Sequence, residues 1–138
     1  MRVIRLGDLT GTAADVRCPH GGFVSLRGIL AGDRMGFSLH KTIIPPGPPQ
    51  RWHYKHHQEA CYCVSGSGLL TDNSTGMQWV ITPDNLYVLD DFRPHTFQAI
   101  VEVVLISVFS PAVVGREVHQ SDGSYPIIEA GNPAQENG

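Results

Sequence analysis

Three cysteines in 138 residues are too few, and odd in number, to make a disulfide framework. Cys61 and Cys63 stand one residue apart, where a strand would point both thiols to the same side, and they are expected to be buried, inert thiols. The chain has no apolar run of the roughly eighteen residues that a spanning helix needs. Its start, Met1-Arg2-Val3-Ile4-Arg5-Leu6-Gly7-Asp8, carries neither a long apolar core nor a small-residue cleavage site, so a cytoplasmic protein is expected. Charge of one sign is lacking too. Ten lysines and arginines lie scattered among thirteen aspartates and glutamates, a net charge of −3 that leaves no basic footprint for nucleic acid or for an anionic membrane. No sustained helical stripe is present, although residues 6–12 could form one turn.

What the chain does have is 41% hydrophobic residues against 17% charged ones, enough to bury one core without staples. Fifteen glycines and ten prolines separate short β-rich runs, the punctuation of an all-β sandwich or barrel. The spacing predicts strands over residues 22–30, 36–44, 60–66, 68–71, 78–82, 86–89, 96–99 and 101–109. The last is apolar on both faces and is expected at the centre of a sheet. Residues 72–76 read as a hairpin turn and 45–49 as a stiff proline connector. One barrel domain over residues 1–129 is expected, with a fraying tail over 130–138.

Three of the seven histidines fall within Trp52-His53-Tyr54-Lys55-His56-His57-Gln58-Glu59. Taken alone, the cluster is equally compatible with solvated loop side chains. From Gly47 the run is five residues, His53, one residue, Lys55, three residues, Glu59, six residues, Gly66. This resembles the first motif of the cupin barrels, with lysine where a second histidine belongs, and Arg93-Pro94-His95 resembles the strand that supplies the last cupin ligand. Strand alternation would turn some of His53, His57 and Glu59 inward, and imidazole with carboxylate favours iron, zinc or manganese.

Further runs are spread over the chain: Gly36-Phe37-Ser38, His53-Tyr54-Lys55, Glu59-Ala60, Tyr62-Cys63, Leu86-Tyr87, Val108-Phe109, Gly115-Arg116-Glu117-Val118-His119, Asp122-Gly123 and Tyr125-Pro126. In this order they resemble the ectoine synthase family, small jelly-roll-like double-sheet cupins, over residues 3–126. The resemblance implies closure of N-γ-acetyl-L-2,4-diaminobutyrate to the cyclic amidine ectoine with loss of water, in a homodimeric enzyme. It places a divalent metal, Fe(II) first and Zn(II) or Mn(II) as alternatives, on Glu59, Tyr87 and His95. It places substrate contacts on Phe23, Arg27, Thr42, His57, Ser107 and Phe109, and catalytic roles on Tyr54, Glu117, His119 and Thr42. Two positions depart from the family, which usually carries tryptophan at Phe23 and cysteine at Ser107. From these identities Arg27 is expected to fork the substrate carboxylate, and Glu117 hydrogen-bonded to His119 to act as base. Action on another N-acylated amino acid, and capture of a solute without turnover, are the alternative readings.

Overall fold

The computed structural model describes residues 1–19 and 21–127; His20 and the expected tail at 130–138 lie outside the described residues. Eight antiparallel strands follow in chain order: β1 (Asp15–Arg17), β2 (Val24–Ile29), β3 (Ser38–Ile44), β4 (Gln50–Trp52), β5 (Gln58–Asp72), β6 (Gln78–Ile81), β7 (Leu86–Leu89) and β8 (His95–Ser110). They form one sheet in the order β1-β2-β3-β8-β5-β6, with β4 also paired to β8 and β7 to β5. β8 is the central strand, as its two-sided apolarity predicts, and it takes β3, β4 and β5 as partners. The expected turn at residues 6–12 is a 3-10 turn over Leu6–Leu9. Among the described residues no helix is long and apolar enough to cross a membrane.

Two expected pairs of strands are each one strand. Residues 60–66 and 68–71 fuse into β5, and 96–99 and 101–109 fuse into β8. The glycine that suggests a break in β5 instead allows a bulge. Gly66 has φ +85°, and a Cβ there would run into the carbonyl of Glu102 on β8. The pairing slips between Cys63 and Gly68, so Glu59, Cys61 and Cys63 face inward on one side of the bulge and Gly68 and Leu70 on the other. β5 thereby serves both halves of the barrel. All three thiols are free.

Alternation on the inward face lines up one row across five strands. Arg27 on β2 lies opposite His40 on β3, His40 opposite Ser107 on β8, Ser107 opposite Cys61 on β5, and Cys61 opposite Tyr87 on β7. All five are buried. Around them pack Phe97, Val103, Leu105, Phe109 and Ile44, each at most 2% exposed. Burial on this scale contributes roughly 1.5–3 kcal/mol for each large side chain. A polar row inside such a core is a place for chemistry rather than for stability.

Candidate active site

The chain beyond β8 closes one end of the barrel. Val113 is fully buried, its amide donates to Ser38 Oγ at 3.0 Å, and its carbonyl accepts from Ala31 at 2.9 Å. Farther on, Gly123 accepts from the His53 amide at 2.9 Å, and Lys55 Nζ reaches Asp122 Oδ2 at 2.8 Å. These bonds lay His119 and Tyr125 over the inward faces of β2, β4 and β8. His119 stacks on Tyr125 with centroids 4.6 Å apart and on Trp52 at 5.4 Å, while Phe23 meets it edge-on at 5.2 Å. Tyr54 OH and His119 Nε2 are hydrogen-bonded at 2.7 Å. The inner cavity is lined by Phe23, Ser25, His40, Thr42, Trp52, Tyr54, Glu59, Tyr87, Ser107, Phe109, His119 and Tyr125. Its free space is about 20 Å³, room for a single water.

Most residues expected to touch substrate therefore meet in one place. Phe23, Thr42, Tyr54, Ser107, Phe109 and His119 line the cavity, and Thr42 Oγ1 lies 3.0 Å from Ser107 Oγ. His57 is buried beside it, its ring 6.2 Å from Phe109 and 5.9 Å from Tyr125. His53 does not join them; its Nε2 binds the carbonyl of Phe92 at 2.7 Å. His56 is exposed.

Two expected contacts are replaced by others. Glu117 does not bond His119: its carboxylate accepts the amides of Val114 at 2.6 Å and Gly115 at 2.8 Å, because the chain bends at Gly115 and residues 117–119 belong to no strand. Alternate spacing puts two side chains on one face only in a strand. Arg27 does not present a free fork. Its Nη1 donates to the carbonyl of Gly115 at 2.8 Å, Nη2 to that of Glu117 at 2.7 Å, and Nε to Ser25 Oγ at 3.2 Å. The guanidinium, 2% exposed, pins the closing segment to the barrel.

Burial dominates the electrostatics. It raises the Glu59 carboxyl to about 8 and holds the Tyr87 and Tyr54 phenols and the Cys61 thiol well above their ordinary values. It pushes His95 down to about 4 and His119 to about 3, the latter helped by the Arg27 charge. His57 and His40 are lowered for the same first reason. Near pH 7 the cavity holds neutral imidazoles, neutral phenols and a largely protonated carboxyl.

Among the described residues no three histidine, cysteine, aspartate or glutamate side chains group to hold an ion. The expected set has only two such residues and a phenol. Its parts adjoin: Tyr87 lines the inner cavity with Glu59 and an outer cavity of about 450 Å³ with His95. Both ring nitrogens of His95 are buried without a hydrogen-bond partner, and Glu59 has no cationic partner among the described residues. Such orphaned groups are what a divalent cation would satisfy, so the donor set fits a first-row metal.

The sequence reading passes over several residues of this site. His40 lies two residues before Thr42 on β3, and Cys61 two after Glu59 on β5, so alternation alone assigns both to the inward face. Tyr125 and Trp52 offer no comparable signal, because Tyr125 is brought in by the bonds of the closing segment and Trp52 by β4, a strand of three residues too short to show a period.

The sequence model of the ectoine synthase family matches residues 1–129. The L-ectoine synthase of Desulfatibacillum aliphaticivorans is 43% identical over 129 residues, covering 94% of this chain and 99% of that protein. That of Alkalilimnicola ehrlichii is also 43% identical, covering 94% and 97%. The crystal structure of ectoine synthase from P. lautus superposes with a TM-score of 0.81 at 33% identity, covering 96% of each chain. The Schizosaccharomyces pombe Cnp3 cupin domain shares the fold alone, with a TM-score of 0.56 at 13% identity over 64% of this chain and 61% of that one.

Proposed function

The chain belongs to the ectoine synthase family, and from that premise we propose how its barrel closes N-γ-acetyl-L-2,4-diaminobutyrate into ectoine with loss of water. The observation that carries the assignment of roles is the inner cavity, whose lining brings together the Tyr54–His119 hydrogen bond, the Thr42–Ser107 pair, Phe109 and Tyr125.

The reaction joins the substrate's two ends. The α-ammonium gives up a proton, its nitrogen bonds to the acetamide carbon and passes a second proton to the carbonyl oxygen as the C=O double bond opens, and the hydroxyl so formed takes back the first proton and leaves as water while the ring C=N closes. A flexible four-carbon chain must first be bent back on itself, which a barrel fixing both ends can impose. The Thr42 and Ser107 hydroxyls hold the acetamide, and Phe23, Trp52 and Phe109 shape the wall and exclude bulk water. Neutral His119 takes the ammonium proton through its hydrogen bond with Tyr54, and the same pair returns a proton to the departing hydroxyl. Glu117 and Arg27 act at one remove, holding the segment that carries His119.

Glu59, Tyr87 and His95 would hold a divalent metal, iron first, with zinc or manganese as alternatives. When bound, the ion supplies Lewis-acid polarisation of the acetamide oxygen and draws protons from Glu59 and Tyr87. A cytoplasmic location accords with three free cysteines. A homodimer completes the reading, with a second copy covering the exposed Trp79, Val80, Leu86 and Val88 of β6 and β7. Incubating the iron-loaded protein with N-γ-acetyl-2,4-diaminobutyrate and following ring formation by proton NMR tests the reaction. Ectoine is expected from the parent and not from Glu59→Ala or Tyr87→Phe; equal turnover by both variants would remove the metal assignment, and no turnover by the parent the reaction.

A further inference from the structure

His40 takes no part in the roles above, yet it sits in the middle of the inward row. It is 1% exposed, stacked on Phe109 at 5.1 Å, and in register with Arg27 on one side and Ser107 on the other. Its Nδ1 lies 3.3 Å from Ser25 Oγ. Its Nε2 is buried and has no protein partner among the described residues, and the side chain lines the cavity. A buried polar atom left open in this way calls for a specific occupant.

The neighbours place the proton on the ring. Arg27 Nε donates to Ser25 Oγ at 3.2 Å, which occupies one lone pair of that hydroxyl. The acceptor then within reach of the Ser25 O–H is His40 Nδ1, so Nε2 carries the hydrogen. Behind this relay stands a buried guanidinium whose Nη atoms are turned onto two backbone carbonyls and which pairs with no carboxylate of the described residues. A buried cation without a counter-charge is unfavourable, and an anion brought close to it is correspondingly welcome.

We infer that His40 is a specificity-determining residue: its Nε2–H binds the α-carboxylate of the substrate, with Arg27 acting behind it through Ser25. The identity of this ligand rests on the proposed cyclisation. The field of Arg27 repels the ammonium end of the same molecule, and the amide end leaves the guanidinium charge unanswered; the carboxylate suits both the donor and the field. It also directs the acetamide away from Arg27, toward Thr42 and Ser107 on the same wall.

Calorimetry on metal-loaded protein, with N-γ-acetyl-2,4-diaminobutyrate and its decarboxylated counterpart N-acetyl-1,3-diaminopropane, tests this on the parent, His40→Gln and His40→Leu. The parent is expected to prefer the carboxylated ligand, and His40→Leu to lose roughly 10- to 100-fold of that preference while keeping its affinity for the decarboxylated one. His40→Gln, which retains an N–H at similar reach, keeps part of the preference. Equal losses for both ligands would mean a merely structural role and overturn the inference. Nitrogen-15 histidine spectra of the parent give a reading that needs no variant: an Nε2–H tautomer whose signal shifts with the carboxylated ligand and not with the other. An Nδ1–H tautomer, or no shift, overturns it. A parent that binds the carboxylated ligand with this preference but does not cyclise it would refute the reaction and leave the carboxylate site standing; one that binds neither ligand refutes both.

Discussion

Replacing Glu59 by glutamine in the metal-free protein should stabilise it at neutral pH and leave it nearly unchanged in mild acid. Burial raises this carboxyl to about 8 from 4.5 in a free side chain. The folded state therefore keeps a proton that the unfolded chain has lost. Its contribution to stability is fully present below about 4.5 and disappears as pH rises toward 8. With about 1.36 kcal/mol for each pKa unit, the interval from 4.5 to pH 7 amounts to about 3 kcal/mol, and at pH 5 to less than about 1 kcal/mol. Glutamine fills the same volume and never ionises, so the difference between the two proteins isolates Glu59. Urea unfolding in the presence of a chelator, at pH 5, 6, 7 and 8, should show the curves diverging upward in pH in favour of Glu59→Gln. Adding a divalent ion at pH 7 should reverse the order, because only the parent can ligate with a carboxylate. Stabilities that run parallel from pH 5 to 8 would refute the reasoning, since Glu59 would then have a compensating partner in the fold.

Gly123→Ala should cost about 1–3 kcal/mol in thermal melts, because Gly123 has φ +85° and a Cβ there would lie 2.9 Å from both the His53 nitrogen and Trp52 Cα. Tyr54→Phe removes the 2.7 Å bond to His119, and kcat for cyclisation should fall roughly 10²-fold or more while KM changes little, as steady-state rates would show. Acid should destabilise the fold through His95 and His119, which stay neutral down to about 4 and about 3 while the unfolded chain protonates near 6.5. Stability is then complete above about 6.5 and falls as pH drops toward those values, by up to about 2 kcal/mol for each histidine at pH 5; His119→Asn should flatten that slope in urea titrations.

Alternation and turn chemistry carry far in this sequence. β7 falls on the expected residues 86–89, and the centre of the sheet is legible in the apolarity of 101–109. β1 and β4 escape because three residues are too few to show a period. The fused β5 and β8 escape because glycine marks a bulge as readily as a break, and only the partner strand distinguishes them. Alternation points to Glu59 as an inward residue, while Tyr87 and His95 are singled out by the family resemblance alone; neither signal reaches the hydrogen bonds of the closing segment. Glu117 and Arg27 bond backbone atoms 2–3 and 88–90 residues away respectively, and no residue pattern announces a carbonyl or an amide as partner.

The proposed chemistry requires Glu59, Tyr87 and His95 to act together on one ion. Elemental analysis after loading with Fe(II) and exhaustive dialysis, on the parent and on Glu59→Ala, Tyr87→Phe and His95→Ala, measures this directly once circular dichroism has shown each to be folded. About one metal per chain in the parent and a small fraction of that in each folded variant is the expected result. Full occupancy in any one of the three folded variants would contradict it.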